Sequence, residues 1–149
     1  MRRLLEEPVR YERLVKEPQQ IPHTVDEILR FDPSVPVWRR VTTKPATLGG
    51  VELPANAKLF LWLAAAGRDA SVFPDPEAFD PERPNSRRTL AFGRGIHFCI
   101  GSAFGRLEAS VAVEELTGRF PDLELMPGQD SAFHPNISFR GPQHLWVKA

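Results

Sequence analysis

The stretch LAFGRGIHFCIG, residues 90–101, contains the only cysteine of the chain, Cys99. Three glycines and one histidine stand close to this cysteine, and a helical pattern of apolar residues begins directly after it. A single cysteine is most often a small buried apolar residue. The phenylalanines and isoleucines of the stretch fit that structural interpretation, whereas the glycines and the start of a helix favour a chemical role.

Cys99 stands where a thiolate is stabilised. The free backbone N–H groups and the dipole at a helix N-terminus favour the charged form of a thiol. Gly93, Gly95 and Gly101 remove side chains on both sides of the cysteine, so the backbone can pass close to a large flat ligand. A thiolate that is held by amides and open on one side is a metal ligand or a nucleophile.

Three kinds of thiolate site can be weighed against the sequence. A nucleophile needs an oriented base, and His97 is near in sequence but need not face Cys99 in a tight loop. A zinc site needs three or four protein ligands, and the four histidines show no metal-ligand spacing. One thiolate suffices where a macrocycle supplies the other ligands, as in haem proteins. A cysteine-nucleophile hydrolase stays open as an alternative.

The spacing Phe92-x-x-Gly95-x-x-x-Cys99-x-Gly101 resembles the haem-binding loop of the cytochrome P-450 family, the haem-thiolate monooxygenases. His97, two residues before the cysteine, is the residue usual in bacterial members of that family. The resemblance implies haem b (iron protoporphyrin IX) as the cofactor. It also implies that Cys99 is the catalytic residue, as the proximal thiolate ligand of the haem iron.

The resemblance implies further contacts around the haem. Arg40, on the strand after the family's K helix, matches an arginine that contacts a haem propionate, and the resemblance implies that His97 contacts a propionate as well. Both side chains can donate hydrogen bonds to a carboxylate. Without the resemblance, Arg40 is a solvated strand residue. The expected haem contacts are Phe92, Gly93, His97, Cys99, Gly101 and Arg40. The expected substrate contacts, otherwise plain surface loops, are Val35, Pro36, Asn136 and Ile137.

Two more stretches agree with the family in their order along the chain. Glu27-Ile28-Leu29-Arg30 matches the E-x-x-R of the K helix, and residues 79–83, FDPER, match a segment that supplies a third charge. Taken alone, the first match is an ordinary i,i+3 ion pair or, with Thr24, a capping box. The resemblance implies a buried network of Glu27, Arg30 and Arg83 that supports the haem loop.

The composition limits the function classes. Acidic and basic residues balance to a formal net charge of zero, which argues against a general binder of nucleic acid or of an anionic membrane. Hydrophobic residues are 42% of the 149, enough for a packed core, and no apolar run is long enough to span a bilayer. The N-terminus lacks a signal core. One cysteine fits a reducing compartment, so we expect a cytoplasmic protein without nucleic-acid or membrane partners.

The periodicity predicts a mixed class, mainly α with a small β region. We expect a helix over residues 1–17 broken at Pro8, a helix over Ile21–Phe31, and a long helix after Gly101 with Gly118 as its stop. Strands are expected over residues 38–43, 46–48, 51–53 and 58–63, the last one buried, with Gly49-Gly50 as a hairpin turn. Residues 67–85 should be irregular.

The resemblance implies that residues 1–149 are the C-terminal part of the family's fold. The parts in order are the K helix, a β region, the haem-binding loop, the long helix that follows and a C-terminal hairpin over residues 133–147. The implied function is oxidation of a small organic substrate with O2, with electrons from a ferredoxin or a reductase, because no nucleotide-binding fingerprint is present.

The family's central oxygen-activating helix should precede the E-x-x-R motif, where only 26 residues stand. Residues 66–69, AGRD, faintly resemble its signature, but Ala70 replaces the threonine and the position is wrong, so we interpret them as a loop. We therefore expect an exposed apolar face on the helix after Cys99. The alternative function is a truncated, catalytically inactive fragment or a haem-binding remnant.

Overall fold

The computed structural model describes residues 1–129 and 132–149. The helices are α1 Arg2–Leu5, α2 Val9–Lys16, α3 Ile21–Phe31, α4 Leu63–Ala66 and α5 Ser102–Arg119. The strands are β1 Val37–Val41, β2 Ala46–Leu48, β3 Val51–Leu53, β4 Lys58–Trp62, β5 Glu124–Leu125 and β6 Val147–Lys148. Within these ranges no helix combines the length and the hydropathy that crossing a membrane would need.

The helices before the strands follow the sequence prediction. α1 and α2 are separated at Pro8, which has no N–H to continue a helix. α3 covers the predicted residues, with Pro22 in its first turn, where a missing N–H costs nothing. Its buried side chains include Val25 and the charged pair Glu27 and Arg30, so α3 turns ionic as well as apolar groups inward.

The strands form three separate antiparallel pairs, β1 with β4, β2 with β3 and β5 with β6. The predicted β2–β3 hairpin is confirmed, with Leu48 opposite Val51. Its turn residues Gly49 and Gly50 both have positive φ, 56° and 80°, which favours glycine.

Three expectations about the middle and end of the chain are wrong. β4 is not buried, since Phe60 and Trp62 are 51% and 55% exposed, because its sheet has two strands and both faces reach solvent. Leu63, expected at the end of the strand, and Ala66, expected at the start of a loop, both belong to the helix α4, because the three alanines over 64–66 favour a helix. Gly118 lies inside α5, which ends at Arg119.

The core lies where α1, α2, α3 and α5 meet. Its buried apolar side chains are Leu4, Leu5, Tyr11, Leu14, Ile21, Val25, Val113 and Leu123. The Tyr11 hydroxyl donates to the carbonyl of Phe120 at 3.0 Å, which satisfies a backbone group at the end of α5. The fold is mainly α with small sheets, as predicted, and it places the start of α5 next to the stretch that contains Cys99.

Candidate functional site

The loop over residues 90–101 is closed by its own backbone. Gly93 and Gly95 have φ values of 73° and 71°, in the left-handed region where a side chain is strained. They flank a bend that leads into a 3₁₀ turn, Gly95–His97. The N–H of Cys99 then donates to the carbonyl of Phe92 at 2.9 Å. The cysteine is thereby held at a fixed place beside the start of α5.

Cys99 is a free and exposed thiol at the N-terminus of the 18-residue α5. Its carbonyl accepts the N–H of Ser102 at 3.2 Å, so the loop runs directly into the helix. A Cβ at Gly101 would lie 3.9 Å from the Cys99 sulfur, so glycine keeps the surface beside the thiol free. The interpretation of Cys99 as a buried structural residue is therefore wrong.

α5 has two faces of different character. One is buried in the core through Val113 and Thr117. The other face carries three exposed apolar side chains, Phe104, Leu107 and Val111, which are 68%, 60% and 45% exposed. Ile100, fully exposed in the loop two residues before α5, extends them into an apolar stripe with spacing i, i+4, i+7 and i+11. The stripe consists of Ile100, Phe104, Leu107 and Val111. The exposed face expected for the helix after Cys99 is therefore present, and apolar surface of this kind marks a binding region.

Arg40 and His97, the two candidate donors to a carboxylate, lie on different elements. His97 is exposed at the end of the 3₁₀ turn. Arg40 lies on β1 opposite Leu59, and its guanidinium donates to the neighbouring carbonyl of Arg39 at 2.8 Å. Among the described residues neither side chain has an acidic partner within salt-bridge distance, so both can receive a carboxylate from a ligand.

The charged residues of α3 form a fully buried network. Glu27 and Arg30 are both 0% exposed, and the two carboxylate oxygens each accept a 2.7 Å hydrogen bond from the Arg30 guanidinium. Glu27 also accepts from the Asp80 N–H at 2.9 Å, the Ser86 hydroxyl at 3.2 Å and the Arg83 guanidinium at 3.5 Å. A carboxylate held by both prongs of a guanidinium makes charge-assisted hydrogen bonds, which are stronger than hydrogen bonds between neutral groups.

The arginines of this network also bind the backbone of the connecting segment, residues 67–85. Arg30 donates to the carbonyls of Gly67, Pro76 and Ala78 at 2.7–2.9 Å. Arg83 donates to those of residues 74, 75 and 78. Because the loop around Cys99 follows this segment along the chain, α3 anchors the approach to the loop.

Two residues of the site escaped the sequence analysis. A Cβ at Gly67 would lie 2.3 Å from the Arg30 carbonyl oxygen, so only glycine fits there. Asp26, beside Glu27, is buried and binds Arg87 and Arg106. The adjacent acids Asp26 and Glu27 are the one local feature of the sequence that indicates the ion pairs of Asp26. No local feature of the sequence indicates that Gly67 lies close to the Arg30 carbonyl.

The residues expected at the substrate lie on two neighbouring segments. The Arg140 N–H donates to the Ser34 carbonyl at 2.7 Å, which joins the stretch that holds Val35 and Pro36 to the loop closed by the Phe133–Pro142 bridge. At the tip of this loop Ile137 is half exposed. The Asn136 side chain accepts two backbone N–H groups of its own turn, so it shapes the tip.

The donor set fits a metal whose other ligands come from a macrocycle. In the part of the chain that the structure describes, no three His, Cys, Asp or Glu side chains come together as a metal site. Cys99 is thus a single, exposed donor between glycines and beside the apolar stripe. An apolar disc with acidic substituents suits this surface together with the Arg40 guanidinium and the His97 imidazole, which can both donate hydrogen bonds to a carboxylate.

Known proteins resemble this chain in sequence. The family model for Cytochrome P450 matches residues 19–139. The chain is 37% identical, over its whole length, to 38% of the erythromycin C-12 hydroxylase of Saccharopolyspora erythraea. It is 43% identical, over 83% of its length, to 28% of a putative cytochrome P450 140 of Mycobacterium bovis. The chain thus spans about a third of the length of these relatives.

Solved structures share the fold at similar identity. An intact type IV self-sufficient cytochrome P450 monooxygenase superposes with a TM-score of 0.96 at 43% identity, over 99% of this chain and 19% of its own. The P450 haem domain of Tepidiphilus thermophilus also gives a TM-score of 0.96, at 38% identity over 99% of this chain and 35% of its own.

Proposed function

The chain belongs to the cytochrome P450 family, and we propose that it forms the haem-binding region of a monooxygenase with Cys99 as the thiolate ligand. Members of this family use haem b. The observation that carries the proposal is the exposed Cys99 sulfur at the start of α5, next to the apolar stripe. An iron macrocycle needs a single thiolate on an open apolar surface. A zinc site needs three or four protein ligands, and a hydrolase needs an oriented base beside its nucleophile.

The proposed roles of the other residues follow from their surroundings. Arg40 and His97 bind the haem propionates, since both lack an acidic partner among the described residues. Gly101 leaves the side of the thiol free, since a Cβ there would lie 3.9 Å from the Cys99 sulfur, and Phe92, Gly93 and Gly101 would contact the haem. When bound, haem supplies the activation of O2 that oxidises the substrate.

Cys99 has an electronic role as well as a binding role in this proposal. Cys99 would hold the haem iron through its thiolate, and a sulfur ligand of this kind would give the iron additional electron density. Cys99 lies two residues before the N-cap Gly101 of α5, at the positive end of the helix dipole. Glu27, Arg30 and Arg83 act at a distance, by fixing the connecting segment that leads to the loop.

We further propose that residues 1–149 are the C-terminal part of the haem domain, because the motifs occur in the family's order. The whole protein would oxidise a small organic substrate, with Val35, Pro36, Asn136 and Ile137 near it. A ferredoxin or a reductase would supply electrons in the cytoplasm. The family generally uses a small substrate and a redox partner, although one similar structure is self-sufficient.

The decisive experiment is the absorption spectrum of the full chain loaded with haem, reduced and exposed to carbon monoxide, beside Cys99→Ala and a His134→Ala control. We expect a strongly red-shifted Soret band that is lost in Cys99→Ala and kept in the control. A band unchanged by Cys99→Ala, or no haem uptake, would contradict the proposal and indicate an inactive remnant. Fast alkylation of Cys99 without haem uptake would instead indicate a cysteine nucleophile.

A further inference from the structure

A second buried carboxylate connects α3 to the loop by a route separate from Glu27. The Asp26 side chain is only 4% exposed, and each of its two oxygens accepts a 2.7 Å hydrogen bond from an arginine Nε, one from Arg87 and one from Arg106. The two arginines differ in setting, since Arg87 is 77% exposed and Arg106 only 24%. The Arg106 guanidinium is therefore the one that Asp26 holds inside the fold.

Arg106 makes its second contact with the loop. Its guanidinium carbon lies 4.6 Å above the centre of the Phe92 ring, a cation–π distance. The ring also lies beside Gly105, where an added Cβ would be 3.6 Å from a ring carbon. The Phe92 carbonyl in turn accepts the N–H of Cys99 at 2.9 Å.

These contacts form one continuous chain from α3 to the backbone of Cys99. We propose that Asp26 and Arg106 are positioning residues, which orient Phe92 and thereby hold the backbone of Cys99 in place. A planar guanidinium can bond a carboxylate through an edge while its face covers a ring, which an ammonium group cannot do. The consequence for the haem iron rests on the proposed function above, whereas the consequence for the loop does not.

Hydrogen–deuterium exchange of the full chain without haem tests the loop directly. We expect the peptide over residues 90–101 to exchange about tenfold faster in Arg106→Gln and in Asp26→Asn, because the closing hydrogen bond opens more often. Arg87→Gln is the matched control, since it removes the other partner of the same carboxylate and leaves the contact with Phe92. Its exchange should match that of the wild type.

Equal exchange in Arg106→Gln and the wild type would overturn the proposal, and so would an equal increase in Arg87→Gln. If Arg106→Gln loosens the peptides of β1 and β4 as well, Phe92→Leu replaces it, because that variant removes the ring and keeps the charges. Acceleration confined to residues 90–101 in Phe92→Leu supports the proposal, and unchanged exchange there refutes it.

The carbon monoxide spectrum of the haem-loaded variants separates this proposal from the function. Arg106→Gln should lose part of the red-shifted Soret band, and Arg106→Lys should not restore it, since an ammonium does not replace the stacked guanidinium. A full band in Arg106→Gln contradicts the positioning role while leaving the function intact. A wild type without the band, but with the predicted exchange pattern, contradicts the function alone.

Discussion

Replacing Glu27 by Gln tests whether the buried network holds the fold together. The carboxylate accepts two hydrogen bonds of 2.7 Å from Arg30 and three longer ones from other donors. Gln keeps the shape but turns one acceptor oxygen into an NH2 group that faces arginine donors. It also leaves Arg30 and Arg83, which are 0% and 7% exposed, without a counter-charge.

The size of the effect follows from that burial. Breaking a buried ion pair from one side costs ~3–5 kcal/mol, because the remaining charge stays desolvated. That loss is a large part of the ~5–15 kcal/mol by which a typical domain is stable. At ~2–4 °C per kcal/mol for a chain of this length, the melting temperature should fall by ~6–20 °C.

Urea unfolding of the full chain, monitored by circular dichroism, measures this loss of unfolding free energy. Glu12→Gln is the matched control, since Glu12 also pairs with a basic residue of its own helix, Lys16, at 3.7 Å, but is 58% exposed. The control should cost at most ~0.5 kcal/mol. Unfolding free energies that agree within ~1 kcal/mol for the two variants would refute the argument that the network stabilises the connecting segment.

Other predictions concern single contacts. Burial raises the pKa of Tyr11 above its usual 10. The contribution of the neutral Tyr11 to the free energy of unfolding is therefore complete below pH 10 and is lost as the pH rises through the raised value. Tyr11→Phe should remove that alkaline decline, measured by unfolding at pH 9 to 12, and persistence of the decline would exclude Tyr11 as its source. Gly67→Ala should cost ~1–3 kcal/mol in urea unfolding, because its Cβ would meet the rigid carbonyl of Arg30 at 2.3 Å, and a neutral effect would contradict that close approach. Hydrogen bonds from Ser71 lower the pKa of Asp69, so the stabilising effect of the Asp69 carboxylate is present above its ordinary pKa of 3.8 and is lost as the pH falls through the lowered value. Ser71→Ala should raise the pKa of Asp69 in an NMR titration, and an unchanged pKa would contradict this cause.

Local signals predicted local structure well. The apolar spacing and Pro22 located α3, and Gly49-Gly50 located the β2–β3 turn, because both depend on neighbours in sequence. The prediction that β4 is buried was wrong, because the burial of a strand depends on which other layer of the fold covers it. The sequence could not indicate that Ala64 donates to the Pro36 carbonyl, a contact between distant residues that anchors α4.

The candidate site shows the same division. The spacing around Cys99 predicted a loop at a helix N-terminus, since three glycines and the pattern after them are local features. The pairing of Asp26 with Arg106 joins residues 80 positions apart. The family motif includes Glu27 but not Asp26, and no periodicity in the sequence distinguishes Asp26 from an ordinary exposed acid.

The way in which Arg30 and Arg83 hold the connecting segment has a consequence for sequence variation. Both guanidiniums bind carbonyl oxygens, which every amino acid provides. The path of the segment is therefore encoded largely in two arginines, and its own exposed side chains are free to drift. A saturation mutagenesis library should tolerate most substitutions at an exposed position such as Glu77 and very few at Arg30, although both residues contribute to one structure.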